Sequence, residues 1–338
     1  MDTGKLPAET LNKLLAKTRT AADVIVGPAY GEDAAAVRFG GRVLVAASDP
    51  VTFATDRIGH YAVSVNANDI AVMGATPLYF LATILLPEGS TEAQAEAVFA
   101  DIETSCRSLD VSLIGGHTEV TSAVNCVVVS GCMLGEVDED RLVRASGARV
   151  GDVVILIGGI AIEGSAILAR EAADDLRAAG ASEEAISAAA KYLDDPGICI
   201  VHCARLATAA GEVHAMHDPT EGGLASALRE LAAASGHGIV IDRSADPILG
   251  PCAEICAALG VDPLGLIASG SLLVATSPGD GEKIRNRLAR ERIPSEVIGV
   301  VVDDRDGVTY TDGAGLPSFG RDEIARYYDE RQARRWEL

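Results

Sequence analysis

Apolar runs of strand length alternate with helical segments along this chain. Residues 43–47 and 153–157 consist of Val, Leu, Ile and Ala, whereas residues 57–75 carry small and apolar side chains at helical spacing. Strands that alternate with helices form sheets with helices packed on them, so the pattern predicts an α/β fold. The predicted strands are 43–47, 111–114, 125–134, 153–157, 214–216, 238–241 and 271–275. The predicted helices are 57–75, 91–109, 165–176, 183–193, 196–209, 223–234 and one from 322 onward. Thr91 and Gln94 have the spacing of a capping box at the start of the second of these helices.

The length of the chain favours two domains. It has 338 residues, and single hydrophobic cores rarely grow beyond about 250 residues. A polar segment with glycine at 144–151 precedes a fresh strand, which places the boundary there. The predicted domains are therefore 1–147 and 148–338. Aromatic residues make up only 4% of the sequence, so both cores must consist mainly of Ala, Val, Leu and Ile.

The sequence is strongly acidic. Asp and Glu number 49 against 28 Lys and Arg, which leaves a formal net charge of −21. This charge repels nucleic acids and anionic membranes, so we expect neither as a partner. A nucleotide fits only if metal ions neutralise both carboxylates and phosphates. The first residues lack a secretory pattern, no apolar run could span a bilayer, and the seven cysteines are scattered, so we expect a cytoplasmic location.

Carboxylates recur at predicted loop starts, in segments rich in Gly, Ala, Ser and Thr, and residues 115–119 form such a segment after the strand 111–114. Oxygen ligands on such segments suit Mg²⁺, which keeps several waters and bridges phosphates. For any single acid of this kind, a solvated turn or a helix cap is the ordinary alternative. Asp69 is harder to explain in that way, because it lies in an apolar helical stretch on the same face as Asn66. The acids concerned are Glu32, Asp33, Asp49, Asp69, Glu119, Asp218 and Glu221.

Other motifs with known chemistry are missing or weak. Segment 159–164 has the glycine spacing of a phosphate loop but is followed by serine instead of lysine, and no strand precedes a GxGxxG motif. The sequence has neither a GxSxG serine elbow nor the histidine spacing of a metalloprotease. Cys199 with Cys203, and Cys252 with Cys256, have the spacing of adjacent helical turns. Zinc is one interpretation of these pairs, but we predict that they pack inside Ala-rich helices.

Six strings follow one another in a characteristic order: GEDAAAV, SDPVTF, VNANDIAVMGATPLYF, LIGGHTEV, HAMHDPTEGGLASALRELA and LGVDPLGLIASGSLLV. As a set they resemble the aminoimidazole-ribonucleotide synthetase (AIR synthase) superfamily, whose members are called PurM-like. The resemblance covers most of residues 24–280. It is closest to the HypE-like branch of hydrogenase-maturation carbamoyl dehydratases, through DPTEGGLA, REA and GVDPL.

The resemblance implies a two-domain PurM-like fold. In this fold the N-terminal domains of two subunits pair into a β-barrel, and ATP lies in a cleft beside the C-terminal α/β domain. It also implies transfer of the ATP γ-phosphoryl group to an acceptor atom, which in some branches makes an amide oxygen a leaving group. By position, the expected Mg²⁺ ligands are Glu32, Asp33, Asp49, Asp69, Glu119 and Glu221. The expected ATP-binding residues are Asn66, Gly115, Gly116, Thr118 and Asp218, and the expected catalytic residues are Asp49, Asp69 and His117.

Two features depart from the family pattern. Several branches have an acid after the double glycine, where this chain has His117, so either fewer metal ions bind or Glu119 supplies the acid. The maturation dehydratase carries its substrate on a C-terminal cysteine, whereas this sequence ends in RRWEL and its last cysteine is Cys256. We therefore expect that the tail of this chain does not carry the substrate.

These observations predict an ATP-dependent and Mg²⁺-dependent enzyme that works as a homodimer. It would phosphorylate or dehydrate an amide or oxygen acceptor that is either a small molecule or carried by another molecule. One alternative is a hydrogenase-maturation accessory protein that acts on a partner's cysteine. Another is a regulatory dimer that binds ATP without consuming it.

Overall fold

The computed structural model describes residues 4–6, 8–245, 248–304 and 307–336. Contacts between Cα atoms divide the chain into two compact units. The N-unit consists of Arg19–Pro28 and Asp33–Leu142, and the C-unit consists of Met1–Thr18, Ala29–Glu32 and Val143–Leu338. Two short segments from the start of the chain thus belong to the C-unit, which the sequence pattern did not predict.

The chain begins with α1 (Ala8–Leu15), which is part of the C-unit. The N-unit contains seven strands and two α-helices within the described residues: β1 (Val24–Val26), β2 (Ala35–Phe39), β3 (Arg42–Ala47), β4 (Pro50–Val51), α2 (Ile58–Val72), β5 (Thr76–Pro87), α3 (Glu92–Ser108), β6 (Ser112–Thr121) and β7 (Val128–Val137). The strands form one sheet in the order β1-β2-β3-β7-β5-β6, and β4 also pairs with β7. β5 and β6 are parallel, with α3 as the crossover, and the other pairs are antiparallel.

Helix α2 is the centre of the N-unit, because thirteen of its fifteen residues are buried. A helix that is apolar nearly all round must be covered on several sides. Gly59 allows α3 to cover one side: a Cβ atom there would lie 2.7 Å from the Val98 carbonyl oxygen. Gly135 of β7 allows the sheet to cover another, since a Cβ atom there would lie 2.3 Å from the Ile70 side chain.

The predicted capping box begins α3. The Thr91 hydroxyl accepts a hydrogen bond from Gln94 N at 3.3 Å, and Gln94 Oε1 accepts one from Thr91 N at 2.8 Å. The two groups satisfy backbone donors that the first helical turn leaves open. The prediction is confirmed.

The C-unit contains a six-stranded sheet in the order β13-β10-β12-β8-β11-β9. β10 and β13 are parallel, and the other neighbours are antiparallel. Its further elements are β8 (Val153–Ile157), α4 (Ile162–Glu171), α5 (Ala173–Ala178), α6 (Glu183–Lys191), α7 (Val201–Ala210), β9 (Ala215–His217), α8 (Gly223–Ser235), β10 (Gly238–Ile241), α9 (Gly250–Leu259), β11 (Leu272–Thr276), α10 (Pro278–Arg290), β12 (Ser295–Val302), β13 (Val308–Tyr310) and α11 (Glu323–Trp336).

The core of the C-unit lies between its sheet and α8. Leu224, Leu228 and Leu231 recur at helical spacing on α8 and are fully buried. They belong to one apolar cluster with side chains of the strands, among them Val154 and Leu273. The cluster contains few aromatic residues, as the composition predicts.

Several predicted elements differ from the structure. The predicted helix 165–176 is two helices, α4 and α5, because Ala172 leaves the helical conformation at φ −125°. The predicted helix 196–209 begins only at Val201, after an irregular turn in which Gly197 has φ +87°. The predicted strand 111–114 continues to Thr121, and β5 and β12 were not predicted.

The cysteine pairs also differ from their prediction in part. Cys252 and Cys256 are buried in α9, as predicted, but Cys199 precedes α7 instead of lying within it. Glu337 and Leu338, which end the RRWEL segment, lie outside the described residues. Among the described residues, no helix is both long and apolar enough to cross a membrane.

Candidate functional site

The strongest local arrangement in the N-unit joins Asp49 to Asn66. Asp49 follows β3, and its carboxylate is exposed, whereas Asn66 of α2 is fully buried. Asn66 Oδ1 accepts a hydrogen bond from Asp49 N at 2.9 Å, and Asn66 Nδ2 donates to the Asp49 carbonyl oxygen at 3.2 Å. Nδ2 also donates to the Ala62 carbonyl oxygen at 2.8 Å. A buried amide with these partners fixes the backbone that carries Asp49.

The neighbouring strand completes this arrangement. Gly131 N donates to the Asp49 carbonyl oxygen at 2.9 Å, and the Ser48 hydroxyl donates to the Gly131 carbonyl oxygen at 2.8 Å. A Cβ atom at Gly131 would lie 2.4 Å from Asn66 Nδ2, so only glycine leaves room for the amide. The SDP motif is therefore held by a helix on one side and a strand on the other.

Asp69 lies on α2, one turn beyond Asn66, and is 4% exposed. The expectation of a buried carboxylate on the same helix as Asn66 is confirmed. Such a group is costly to bury unless it interacts with a cation or with hydrogen-bond donors. The position of Asp69 is fixed because α2 packs closely against α3 and against the sheet.

The segment with the double glycine differs from its prediction. Gly115, Gly116, His117, Thr118 and Glu119 were expected in a loop after a short strand, but they lie within β6, parallel to β5. Leu113 and Gly115 pair with consecutive residues of β5, so Ile114 forms a bulge. Gly116 has φ +145°, and a Cβ atom there would lie 1.9 Å from the Ala82 carbonyl oxygen, which explains why this position needs glycine.

His117 and Glu119 are two residues apart in β6, so their side chains share one face. His117 Nε2 and Glu119 Oε2 are 3.2 Å apart, and both side chains are largely exposed. The pair is accessible to a ligand, and so are the neighbouring Gly115, Gly116 and Thr118.

The predicted acids Glu32 and Asp33 are adjacent in sequence but belong to different units. The segment that carries Glu32 packs against α8, where a Cβ atom at Gly31 would lie 2.7 Å from the Glu230 carbonyl oxygen. Asp33 belongs to the N-unit with Asp49 and Asp69.

In the C-unit, the DPTEGG segment follows β9. Asp218 is buried, whereas the Glu221 carboxylate accepts a hydrogen bond from Lys5 N at 3.1 Å. Lys5 Nζ also donates to the Thr220 hydroxyl at 3.1 Å. Glu221 thus anchors the N-terminal segment of the chain, a contact that its predicted role as a metal ligand did not include.

Four buried residues near this segment were missed by sequence reasoning: His217, Glu230, Glu163 and Asp322. His217 Nε2 lies 3.0 Å from Glu230 Oε2. Burial alone would raise the pKa of Glu230, but the hydrogen bond from His217 and the positive charge of Lys5 lower it to about 2. The sequence signal for His217 is its position directly before the DPTEGG motif.

Asp322 holds two loops together. Its carboxylate accepts hydrogen bonds from Gly222 N at 2.5 Å, Ile267 N at 3.3 Å and Ile324 N at 2.8 Å. Burial nevertheless raises the pKa of Asp322 to about 7, and the charge of Glu221 adds a smaller effect in the same direction. The DPTEGG segment and the loop before β11 are therefore joined through one carboxylate.

The predicted Mg²⁺ ligands are hard oxygen donors of the correct chemical type. Within the described ranges, no three His, Cys, Asp or Glu side chains are grouped closely enough to hold a metal ion alone. Mg²⁺ usually needs only one or two carboxylates together with waters and substrate phosphates. Asp49 and Asp69 supply two carboxylates of this type: Asp49 is exposed, and Asp69 is buried on the helix whose Asn66 side chain holds the Asp49 backbone.

Both units match known family descriptions. Residues 31–137 match the N-terminal domain of AIR synthase related proteins, and residues 149–312 match the C-terminal domain of the same family. The protein therefore belongs to the AIR synthase related, PurM-like family, and it has the mixed α/β fold of two domains. The resemblance predicted from the sequence motifs is confirmed.

Within this family the chain is similar to HypE proteins. A putative hydrogenase expression/formation protein of Methanocaldococcus jannaschii is 30% identical over 315 residues, which cover 90% of each chain. The carbamoyl dehydratase HypE of Cupriavidus necator is 30% identical over 259 residues, 75% of this chain and 70% of that protein.

Solved structures agree with this fold. A hydrogenase maturation protein HypE in complex with ATP has a TM-score of 0.69 at 23% identity, covering 93% of this chain and 91% of that chain. A HypE–HypF complex gives a TM-score of 0.70 at 23% identity, covering 86% of this chain and 94% of that chain. At this identity the likeness shows a shared fold.

Proposed function

We propose that this protein is an ATP-dependent enzyme that transfers the γ-phosphoryl group to an acceptor oxygen and thereby activates the acceptor. The acceptor is an amide or hydroxyl group of a small molecule or of a carrier. Similarity to carbamoyl dehydratase HypE and to a HypE structure that contains ATP supports this proposal. The observation that carries it is the Asn66 side chain, which fixes the backbone of Asp49 beside the helix that bears Asp69.

In this proposal Asp49 and Asp69 hold Mg²⁺, with Asp33 and Glu119 as further ligands in the N-unit. The ion supplies positive charge that offsets the charge of the phosphates and of these acids. Asn66 contributes by keeping the Asp49 carboxylate in one position, so that little ordering is needed when the nucleotide binds.

The other predicted residues have supporting roles. Gly115 and Gly116 present backbone N–H groups without side chains, and Thr118 offers a hydroxyl to the nucleotide. His117 can donate a hydrogen bond to a phosphate oxygen. In the C-unit, Asp218 takes part in nucleotide binding, and Glu32 and Glu221 remain proposed metal ligands.

Phosphoryl transfer replaces one oxygen on the γ-phosphorus by another. The acceptor oxygen forms a bond to the γ-phosphorus, the bond from that phosphorus to the β–γ bridging oxygen breaks, and ADP leaves. A hydroxyl acceptor loses its proton and becomes a phosphate ester. A primary amide acceptor loses one N–H proton and becomes an O-phosphorylated imidate. Its C–O bond can then break, so that phosphate leaves with the original amide oxygen, the second N–H proton is lost, and carbon and nitrogen form the triple bond of a nitrile.

A second candidate function has a specific observation in its favour. The HypE–HypF complex shows that a protein of this fold assembles with a partner protein. The acceptor of this enzyme would then be a group carried by a partner, such as a modified cysteine. A regulatory dimer that binds ATP without consuming it is the non-catalytic alternative, and ADP release separates it from both enzymes.

The test uses Asp49→Asn and Asp69→Asn in the full chain. Each change removes one negative charge from the proposed Mg²⁺ site, so we expect loss of Mg²⁺-dependent ADP release with the fold preserved. Calorimetry with Mg-ATP and circular dichroism measure binding and folding. Glu88→Gln, at an exposed position in the turn before α3, is the matched control. Unchanged Mg-ATP affinity and turnover in both variants would show that the site is assigned wrongly.

A further inference from the structure

Two cysteine pairs of the C-unit have the same spacing, and neither has a role in the nucleotide site described above. Cys199 and Cys203 are partly exposed, whereas Cys252 and Cys256 are buried. All four are free thiols. The two pairs can therefore be compared as places where a disulfide could form.

The Cys252–Cys256 pair lies inside a regular helix. Both residues belong to α9, which continues on either side of them. Cβ atoms one turn apart on a helix are separated by about 5–6 Å, whereas a disulfide needs a separation of about 3.5–4.5 Å. Helical geometry therefore keeps these two sulfur atoms from bonding to each other.

The Cys199–Cys203 pair spans the start of a helix instead. Helix α7 begins at Val201, so Cys203 lies in its first turn and Cys199 precedes it. Gly197, two residues before Cys199, has φ +87°, and the N-cap Ile200 has φ −100° and ψ 4°. Because Cys199 is outside the helix, its backbone can rotate without breaking a helical turn. A local movement can therefore bring these two thiols to bonding distance, which the pair in α9 cannot achieve.

The thiols of Cys199 and Cys203 are close to each other. Burial raises the pKa of Cys203 to about 11, and the neighbouring Cys199 adds to this rise, so the two groups are near enough to interact. Burial also raises the pKa of Cys199, against a smaller opposite effect of a hydrogen bond from the Val201 backbone N–H. Few of these thiols are ionised at neutral pH, so their reactions are slow there and accelerate as pH rises.

The charged groups beside this pair determine which reagents can approach it. Glu291, at the end of α10, adds to the rise in the pKa of Cys203. Its carboxylate lies 2.5 Å from Nε2 of His202, an exposed residue of α7, and 2.6 Å from Nη2 of Arg287. An acid next to the thiol and a net charge of −21 both repel anionic reagents. A small neutral disulfide is therefore better suited to this place than an anionic one.

We propose that Cys199 and Cys203 form a reversible redox site, at which a small neutral disulfide oxidises the two thiols to an intramolecular disulfide. This site is independent of the proposed nucleotide chemistry. The bond between the two residues would tie the turn before α7 to the first turn of that helix.

The oxidation proceeds by two exchange steps. The thiolate of one cysteine attacks a sulfur atom of the reagent, whose S–S bond breaks and releases one reduced thiol. The second cysteine then attacks the mixed disulfide, the Cys199–Cys203 bond forms, and the other half of the reagent leaves as a thiol. The two protein thiols lose two electrons and two protons, and the two halves of the reagent take them up.

The test uses the full chain with hydroxyethyl disulfide, a neutral reagent. Alkylation of the remaining thiols, intact-mass spectrometry and peptide mapping then identify the bonds formed. We expect a Cys199–Cys203 disulfide, no bond between Cys252 and Cys256, and recovery of all thiols with dithiothreitol. Because thiolate is scarce below the raised pKa of Cys203, the rate should increase about tenfold per pH unit between pH 7 and pH 9. Glutathione disulfide, which is anionic, should react several-fold more slowly.

Serine variants provide the controls. Cys203→Ser should form no intramolecular disulfide, whereas Cys252→Ser should form the Cys199–Cys203 bond at the wild-type rate. Circular dichroism before and after the reaction checks that each protein stays folded, and Cys203→Ala replaces the serine variant if that one does not fold. Absence of the Cys199–Cys203 bond from the folded wild type, or equal formation of a bond within α9, would overturn the proposal. Equal rates with the two reagents would overturn the preference for a neutral disulfide.

Discussion

Three buried carboxylates of the C-unit have pKa values that differ from the ordinary ones: two are raised and one is lowered. Burial raises the pKa of Glu163 and of Asp322 to about 7, because neither has a cationic partner among the groups that act on it. Glu230 is also buried, but the hydrogen bond from His217 and the charge of Lys5 lower its pKa to about 2. The nearest charged neighbour thus decides whether burial makes an acid neutral or keeps it ionised.

This contrast predicts how stability depends on pH. A carboxyl whose pKa is raised in the folded state binds its proton more tightly there, so its contribution to stability is lost as pH rises from about 4.5 through 7. A pKa raised from 4.5 to about 7 corresponds to about 3 kcal/mol at most. We expect the free energy of unfolding, measured by urea denaturation, to fall between pH 5 and pH 8, and to fall less in Glu163→Gln.

Glu230→Gln provides the contrasting control. Because the pKa of Glu230 is lowered, its stabilising effect is present above about pH 4.5 and is lost only as pH falls towards 2. This variant should therefore lose similar stability at pH 5 and pH 8 and keep the wild-type slope between them. Equal slopes in the wild type and Glu163→Gln would contradict the raised pKa of Glu163.

At the scale of single residues, the sequence revealed acids in characteristic motifs but not their partners. Asp69 was identified because an acid inside an apolar helix is unusual, and Asn66 because it shares that helix face. Glu163 was missed, since Ser269, whose backbone N–H donates to its carboxylate, lies 106 residues further along the chain. Asp322 was missed for a similar reason, because Gly222 is 100 residues away. Contacts of this range arise from the fold, and no local pattern indicates them.

At the scale of elements, helices with clear end signals were predicted well, and strands that contain glycine were not. The capping box located the start of α3 to within one residue, because Thr91 is the N-cap and the helix begins at Glu92. The double glycine of β6 was interpreted as the start of a loop, but Gly115 and Gly116 stay extended at φ +155° and +145° beside a bulge. Glycine is compatible with a loop and with a bulged strand. The long parallel pairing with β5 stabilises the strand.

Close packing of α2 against α3 leads to a prediction at this scale. A Cβ atom at Gly59 would lie 2.7 Å from the Val98 carbonyl oxygen and 2.9 Å from Ile102 Cγ1, and neither helix can move without disturbing the core. We expect Gly59→Ala to destabilise the protein by about 1–3 kcal/mol in urea denaturation.

Gly279→Ala is the matched control for this substitution. Gly279 lies in the first turn of α10, and a Cβ atom there would meet nothing within 4 Å. Alanine is the better helix former, so this variant should be neutral or up to about 1 kcal/mol more stable. If both variants behaved alike, helix propensity rather than packing would explain the result for Gly59.

At the scale of the whole molecule, β6 is the element that indicates association with a second copy of the chain. In the described ranges it pairs only with β5, so its other edge carries unpaired backbone groups. Ile114 and Val120 on this strand are 53% and 58% exposed. A long edge strand that exposes apolar side chains pairs readily with another strand, and a chain with a net charge of −21 needs such a specific surface to overcome its self-repulsion.

We therefore predict that the protein is a homodimer joined through the β6 edge, as the family resemblance implied. Light scattering after gel filtration should give twice the chain mass of 34.9 kDa. Lysine on an edge strand opposes pairing, so Ile114→Lys combined with Val120→Lys should shift the protein to the monomer while circular dichroism stays unchanged. Phe39→Lys replaces an apolar residue of β2 that is 73% exposed, and this control should remain dimeric. A monomeric wild type, or a lysine variant that stays dimeric, would overturn the assignment of the β6 edge as the dimer interface.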